Sequence, residues 1–531
     1  MKKLTLIITI LTAIGISSCK KGFLDETINP NAASTNTLSL ALSSNEKGAA
    51  DIVNGWNSYT YPSTGYQWLY SKYAVWEGYW VESPNGYVSD QSLTQYSFTN
   101  TVASFPWTDL YDNLSNVNLM QVTAVQQNNP DYEAIALVLK AYGFEQLVDG
   151  WNNVPYSQAF QGSAGNLTPV YDSGASIYAD LIKQMDNAIN LINTNAAAKL
   201  PVQGPGSDDI IFGGNMTNWK KFANTMKLRL IMRQSNTSGF AALKTELNST
   251  VGEGYLDGTT QALANPGYAL SDAYGGQESP FYLMYGIKPN SSTTLYGNTY
   301  YLANAFCVNL MKNLNDTLRV KEFYATTAVD GSNNAADVIG AVLGSTNPPA
   351  AISKIGPGLL GTTNAAGALM SSVMFSGAES LFLQAEAVND GMLVLPSSAP
   401  VTTPIGLYDA AITASFVSLG NTAQDASNYY LQPSVNVISE QNIITQKYIA
   451  LNGFGNFEAY NEYRRTGFPA IPRSLNPGAL GASTGGASGT GQLPSIVFYP
   501  QIEYSTNPVN VNKQPTANVT TEFNSKIFWA K

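Results

Sequence analysis

The chain of 531 residues contains no histidine. That absence removes the commonest general base and the commonest metal ligand among the side chains. Ser-His-Asp and Cys-His nucleophile systems are thereby excluded, as are the paired-histidine zinc sites of metalloproteases. The match of Gly481-Ala482-Ser483-Thr484-Gly485 to G-x-S-x-G consequently has no base for its serine, and it lies in a Gly/Ser-rich run that reads as loop. "GPGLLG" at Gly356 to Gly361 fits G-x-G-x-x-G, but Pro357 and its flanks lack the strand-turn-helix context of a dinucleotide site. Cysteine is almost missing as well, with only Cys19 and Cys307. Charge is sparse: 12% of residues are ionisable Asp, Glu, Lys or Arg, and the balance is −10. An electrostatic grip on nucleic acid is therefore not expected. No cofactor motif and no metal-ligand set stands out.

What is present begins at the first residues. Met1-Lys2-Lys3 followed by the uncharged run "LTLIITILTAIGI" has the layout of a secretory signal peptide over residues 1–18. The run is shorter than the roughly 20 apolar residues of a spanning helix. Ile16-Ser17-Ser18-Cys19 resembles a bacterial lipobox, which implies cleavage before Cys19 and acylation of that cysteine. Several acyl chains make a stable anchor where one holds only marginally. The alternative is an ordinary signal peptide with a chance cysteine. With Cys19 acylated, Cys307 has no disulfide partner and reads as a small buried hydrophobe.

The remainder, residues 19–531, is 44% hydrophobic over the whole chain and long enough to bury a large core. Apolar residues recur at helical spacing: Trp107, Leu110, Tyr111 and Leu114, then, after the turn signal "NNPD", Ile135, Val138, Leu139 and Tyr142. Similar stripes run from Tyr178 to Ile192, from Trp219 to Leu230, from Ala378 to Val388 and from Ile444 to Leu451. Ser376 with Glu379 suggests a capping box, and Gly391 a helix stop. The spacing predicts a mainly α protein of helix pairs. Long Gly/Ala/Ser/Asn/Pro-rich stretches near 252–300, 326–370, 393–405 and 475–495 read as loops. The basic residues Lys220, Lys221, Lys227, Arg229 and Arg233 share one helical pattern and read as solvated or structurally paired.

Several segments, in order, resemble the SusD/RagB family of nutrient-binding outer-membrane lipoproteins. They are "FLDETINPN", "LVDGWNNVPYSQAF", "TPVYDSGASIYADLI", "NWKKFANTMKLRLIMR", "GAESLFLQAEAVNDG", "IITQKYIALNGFGNFEAYNEYRRTGFP" and "FYPQIEYSTNP". The resemblance covers essentially the whole mature chain. It implies tetratricopeptide-like helix pairs with loop-rich excursions, an outer-membrane location facing the exterior, no enzymatic activity, and a SusC-like TonB-dependent transporter as partner. Trp219, Asn224, Arg229, Glu386, Gln446, Lys447, Arg464 and Arg465 lie in these motifs and read as packing and buried polar pairing.

A glycan ligand suits the aromatic content. Sugars present C–H faces with hydroxyls at the rim, and aromatic rings supply matching apolar faces. Residues 56 to 111 hold five of the eight tryptophans. Trp68, Trp76, Tyr79, Trp80, Tyr87 and Asp90 are the candidate ligand contacts there, although the same rings could fill a helix interface. Tyr282 and Tyr296 are candidates in a second, tyrosine-rich stretch between 268 and 301. Capture of peptides or another nutrient is an alternative on the same scaffold. A glycoside hydrolase using two carboxylates would need no histidine, but no carboxylate pair is marked outside helical motifs.

Overall fold

Asn128 takes a left-handed backbone (φ 52°) and Pro130 opens the next helix at its first position, so the "NNPD" turn joins helices Ser104–Gln126 and Pro130–Trp151 into a hairpin. Leu110, Leu114, Val117, Met120 and Ala124 form the buried stripe of the first helix. The two helices meet closely at Gly143, where an added Cβ would lie 2.8 Å from Leu114 Cδ2. This computed structural model describes residues 37–531 apart from 55–67, 84–90, 98, 101–103, 199–203, 271–276, 288–295, 329–330, 477–492, 516–522 and 524. Cys19 and the expected signal peptide lie outside the described residues.

Helix Gly174–Ala198 packs on Pro130–Trp151, and Met216–Met232 packs on it in turn. In the C-terminal half, Gly377–Asn389 pairs with Pro404–Ser418, followed by Ala423–Tyr430, Glu440–Leu451 and Asn456–Thr466. The protein is thus mainly helical, as the periodicity predicts. Its described strands form three two-stranded antiparallel ribbons: Trp80–Glu82 with Tyr301–Ala303, Val154–Pro155 with Tyr171–Asp172, and Ala262–Ala264 with Ser372–Phe375. Two stretches expected as loops carry short elements: the strand Ala262–Ala264 and the helix Pro280–Tyr285 within 252–300, and the helices Pro357–Leu360 and Asn364–Ala368 within 326–370. Elements this short show no period in the sequence. Among the described residues, no helix is long and apolar enough to cross a membrane.

The cap at Ser376 forms only in part. Its hydroxyl accepts from Glu379 N at 3.1 Å, but the Glu379 carboxylate turns inward to Arg229, so the reciprocal half of the capping box is absent. Gly391 does take the left-handed backbone of a helix stop (φ 69°). Cys307 is fully buried, and burial pushes its thiol up to about 12.

Helix Met216–Met232 ties the halves together through buried ion pairs. Arg229 pairs with Glu145 and, at 3.0 Å, with Glu379; Arg233 pairs with Glu458 and, at 3.3 Å, with Glu462. Lys447 Nζ lies 3.1 Å from Glu458 and 3.2 Å from Glu462, while Arg465 forks onto Glu386 at 2.7 and 2.9 Å and also reaches Glu462. Burial pushes the Glu145, Glu379 and Glu386 carboxyls above their ordinary range, with the adjacent arginine pulling each back. Burial acts the same way on Glu458 and Glu462, but the cations crowding these two bring them below it. Lys220 and Lys227 are also paired, with Glu253 at 2.7 Å and with Asp186 and Glu246 at 2.5 and 2.6 Å. The basic cluster of the sequence is therefore mostly internal wiring.

Candidate functional site

Three regions far apart in sequence, residues 107–112, 155–169 and 502–503, enclose an open cleft of about 290 Å³. The first turns of helix Ser104–Gln126 contribute Trp107, Thr108, Tyr111 and Asp112. Pro155, Ala159 and Phe160 come from the strand Val154–Pro155 and the loop after it, Pro169 from just before Tyr171–Asp172, and Ile502 and Glu503 from helix Gln501–Thr506.

Local chemistry holds each wall. Asp172 accepts from Tyr156 N at 3.2 Å, Ser157 N at 2.8 Å and Ser157 Oγ at 2.9 Å, which ties the loop leading to Phe160 to its partner strand. Asn507 Nδ2 donates to Pro169 O at 2.8 Å and Asn510 Nδ2 to Thr168 O at 2.9 Å, docking the C-terminal wall. Tyr111 OH donates to Pro155 O at 2.7 Å across the cleft floor. Trp107 is buried beneath, its ring 5.0 Å from Tyr111 and 5.1 Å edge-on from Trp151. Tyr111 also lies 6.4 Å from Phe160. Burial pushes the Glu503 carboxyl up, against hydrogen bonds from Tyr171 and Trp107 that lower it.

The result is a recess with aromatic and apolar walls (Tyr111, Phe160, Pro155, Pro169, Ile502), a hydroxyl from Thr108 and carboxylates from Asp112 and Glu503, and, among the described residues, no basic side chain. Hydrogen-bond acceptors set beside ring faces suit a polyhydroxylated ligand with apolar C–H surface. Small-molecule sites usually span about 300–1,000 Å³, so this one accommodates a short piece of such a ligand. Among the described residues, no group of three or more His, Cys, Asp or Glu could hold a metal ion.

The structure buries four of the eight expected contacts. Trp76, Tyr79 and Trp80 are fully buried. Trp76 meets Tyr73 edge-on at 5.7 Å and Tyr460 at 5.9 Å, Tyr79 stacks on Tyr448 at 4.4 Å, and Trp80 packs against Tyr285 at 5.0 Å and Tyr301 at 5.6 Å. Their ring faces are covered by other rings, which leaves none for a ligand. Tyr282 is likewise buried. Trp68 opens the helix Trp68–Trp76 and Tyr296 the helix Tyr296–Tyr300, but their side chains are outside the described residues, as are Tyr87 and Asp90 altogether. None of the four described candidates, Trp76, Tyr79, Trp80 and Tyr282, lines the cleft. Sequence reasoning misses Tyr111, Phe160, Ile502 and Glu503 because only the tertiary fold brings them together. The available signal is indirect: "VPYSQAF" and "FYPQIEYSTNP" stand out as motifs, but nothing in them assigns a role.

The SusD-like family model described as "Starch-binding associating with outer membrane" matches residues 57–500. No curated protein matches the chain. Solved structures share the fold at low identity. A SusD homolog from Bacteroides uniformis is 23% identical, with a TM-score of 0.67, over 92% of this chain and 99% of its own. A chitin-binding SusD homolog from Flavobacterium johnsoniae is 21% identical, with a TM-score of 0.66, over 91% of this chain and 100% of its own. One from Bacteroides fragilis is 19% identical, with a TM-score of 0.69, over 92% and 100%.

Proposed function

Because the chain belongs to the SusD-like family, we propose that it is a glycan-binding lipoprotein of the outer membrane that holds a short stretch of oligosaccharide or polysaccharide in the Tyr111–Phe160 cleft. The relatives described by what they bind are binding proteins, for starch or chitin. The observation that carries the reading is the cleft itself: ring faces beside carboxylates, with no cation among the described lining residues, in a chain of this family. Display on the exterior and delivery of the captured glycan to a SusC-type TonB-dependent transporter complete the proposal. Neutral glycans suit the site better than polyanionic ones, since Asp112 and Glu503 would repel like charge.

Calorimetric titration of a glycan panel, followed by the same titration on Phe160→Ala and Tyr111→Ala, tests the cleft. A ring-face interaction of this kind is worth about 0.5–1.5 kcal/mol, so each variant should bind about 2- to 13-fold more weakly. Unchanged affinity in the double variant would move the site elsewhere. Incubation with a bound glycan should release no new reducing ends; turnover above that of the double variant would favour the carboxylate hydrolase.

The anchor is tested separately, motivated by Ile16-Ser17-Ser18-Cys19 behind a short apolar run. Cys19→Ala should abolish acyl labelling and shift the protein out of the outer-membrane fraction. Persistence of that variant in the membrane fraction would rule out the lipid tether.

A further inference from the structure

Helix Leu38–Val53, the first described element of the chain, buries a carboxyl at its middle. Glu46 is fully buried, and its Oε2 accepts from Ile210 N at 2.7 Å. Its Oε1 is buried as well and has no hydrogen-bond donor. Buried carboxylates elsewhere in the fold, such as Glu145, Glu386 and Glu462, each meet an arginine. Glu46 meets another carboxyl instead: Asp209 lies within hydrogen-bonding reach of it, and Asp208 acts on it from nearby.

Asp209 is already supplied with donors. Its Oδ1 accepts from Ile211 N at 3.0 Å and Phe212 N at 2.8 Å, and its Oδ2 from Gly214 N and Trp219 Nε1, both at 2.8 Å. Four donors converging on one carboxyl favour its ionised form. A second ionised carboxylate in contact with it, out of reach of water, is opposed by both desolvation and like charge. The donorless oxygen shows where a proton fits: a neutral Glu46 donates from Oε1 to Asp209 while Oε2 still accepts from Ile210. Burial, and then the charge of Asp209, pushes the Glu46 carboxyl well above its ordinary range, although the Ile210 N–H pulls it back. Few other titratable groups face this place. On the same helix Lys47 pairs with Asp51 at 2.5 Å. Tyr132, from helix Pro130–Trp151, donates to Asp208 Oδ2 at 2.6 Å. Helix Ser104–Gln126 meets Leu38–Val53 through Asn113 and Met120, both bonded to Asn45, and its titratable Asp109, Tyr111 and Asp112 all precede Asn113. The strands Ala262–Ala264 and Ser372–Phe375, which also pack on the helix, carry none.

We propose that Glu46 and Asp209 share one proton, so that a neutral carboxylic acid latches helix Leu38–Val53 to the loop at 209–214, and that loss of this proton in alkaline solution releases the helix. The latch does not rest on the function proposed above. Release uncovers a flank of Ser104–Gln126, the helix that carries Tyr111. A carboxyl held neutral in the folded state contributes stability that is complete below its unfolded pKa and is lost as pH rises through the folded one, so the latch weakens only toward alkaline pH.

Amide hydrogen exchange of the full mature chain, read by mass spectrometry from neutral into alkaline pH, tests the latch. Exchange of residues 38–53, divided by that of helix Pro404–Ser418 in the same sample to remove the base-catalysed rise, should accelerate by up to about tenfold per pH unit, the slope of one proton. Glu46→Gln keeps both hydrogen bonds, its Nε2 donating to Asp209 and its oxygen accepting from Ile210, and cannot ionise, so its ratio should stay flat. Infrared difference spectra of parent minus variant at neutral pH should show the carbonyl band of a protonated acid. Should the variant fail to fold, the ratio of the two helices in the parent decides. A flat ratio in the parent, an equal alkaline rise in parent and variant, or a carboxylate band in the difference spectrum overturns the proposal. So does stabilisation by calcium chloride that Glu46→Gln abolishes, since the pair would then hold a cation in place of the proton.

Discussion

Arg465→Leu should lower folding stability by about 3–5 kcal/mol, the usual cost of stranding a buried charge. The side chain is fully buried and serves two carboxylates at once, Glu386 and Glu462. Without it, Glu386 keeps the burial that already pushes its carboxyl up and loses the guanidinium that draws it back. Its folded-state pKa then rises further above the unfolded value. A carboxyl shifted that way contributes full stability below the unfolded pKa and loses it as pH rises through the folded one. The variant's deficit should therefore be larger at pH 8 than at pH 5. Paired urea melts at the two pH values measure this. Adding Glu386→Leu should restore part of the loss, because a well-packed apolar pair can replace an ion pair at little cost. A deficit below about 1 kcal/mol at both pH values, the scale of an exposed pair, would show that the network is solvated in solution.

Trp76→Ala and Trp80→Ala should each destabilise the protein by about 3–5 kcal/mol, as should Trp219→Ala, whose indole is buried and donates to Asp209 at 2.8 Å. Where the variants remain folded, glycan affinity should match that of the parent protein. Thermal melts and titrations on the same three preparations give both readouts. If Trp76→Ala or Trp80→Ala abolished binding while the melting temperature held, the rings would face ligand and the cleft at Tyr111 would lose its role.

The contrast between these tryptophans and the cleft residues shows what a sequence discloses. Helical stripes such as Trp107, Leu110 and Leu114 declare themselves by period, and the turn before Pro130 by residue type. Arg229, Lys447 and Arg465, read as buried polar pairing within the motifs of the family resemblance, are buried and ion-paired. Depth is not legible. A tryptophan-rich segment offers rings whether they face ligand or each other, and Trp76 and Trp80 face other rings. Nor is the cleft legible, since Tyr111, Phe160 and Ile502 each look ordinary until the chain brings them together. Glu379 shows the same limit on a smaller scale, its cap signal overridden by a buried arginine.

Because one wall of the cleft comes from helix Gln501–Thr506 and the opposite wall from a helix that starts at Ser104, the recess cannot be assembled until nearly the whole polypeptide has been made. Contacts of such sequence separation close late, after local helix pairs have formed. A growing or still unfolded chain in transit therefore has no cleft to occupy. Competence to bind arrives only with completed folding, and a protein cut short before residue 501 would keep its N-terminal helix pairs while losing this wall of the cleft.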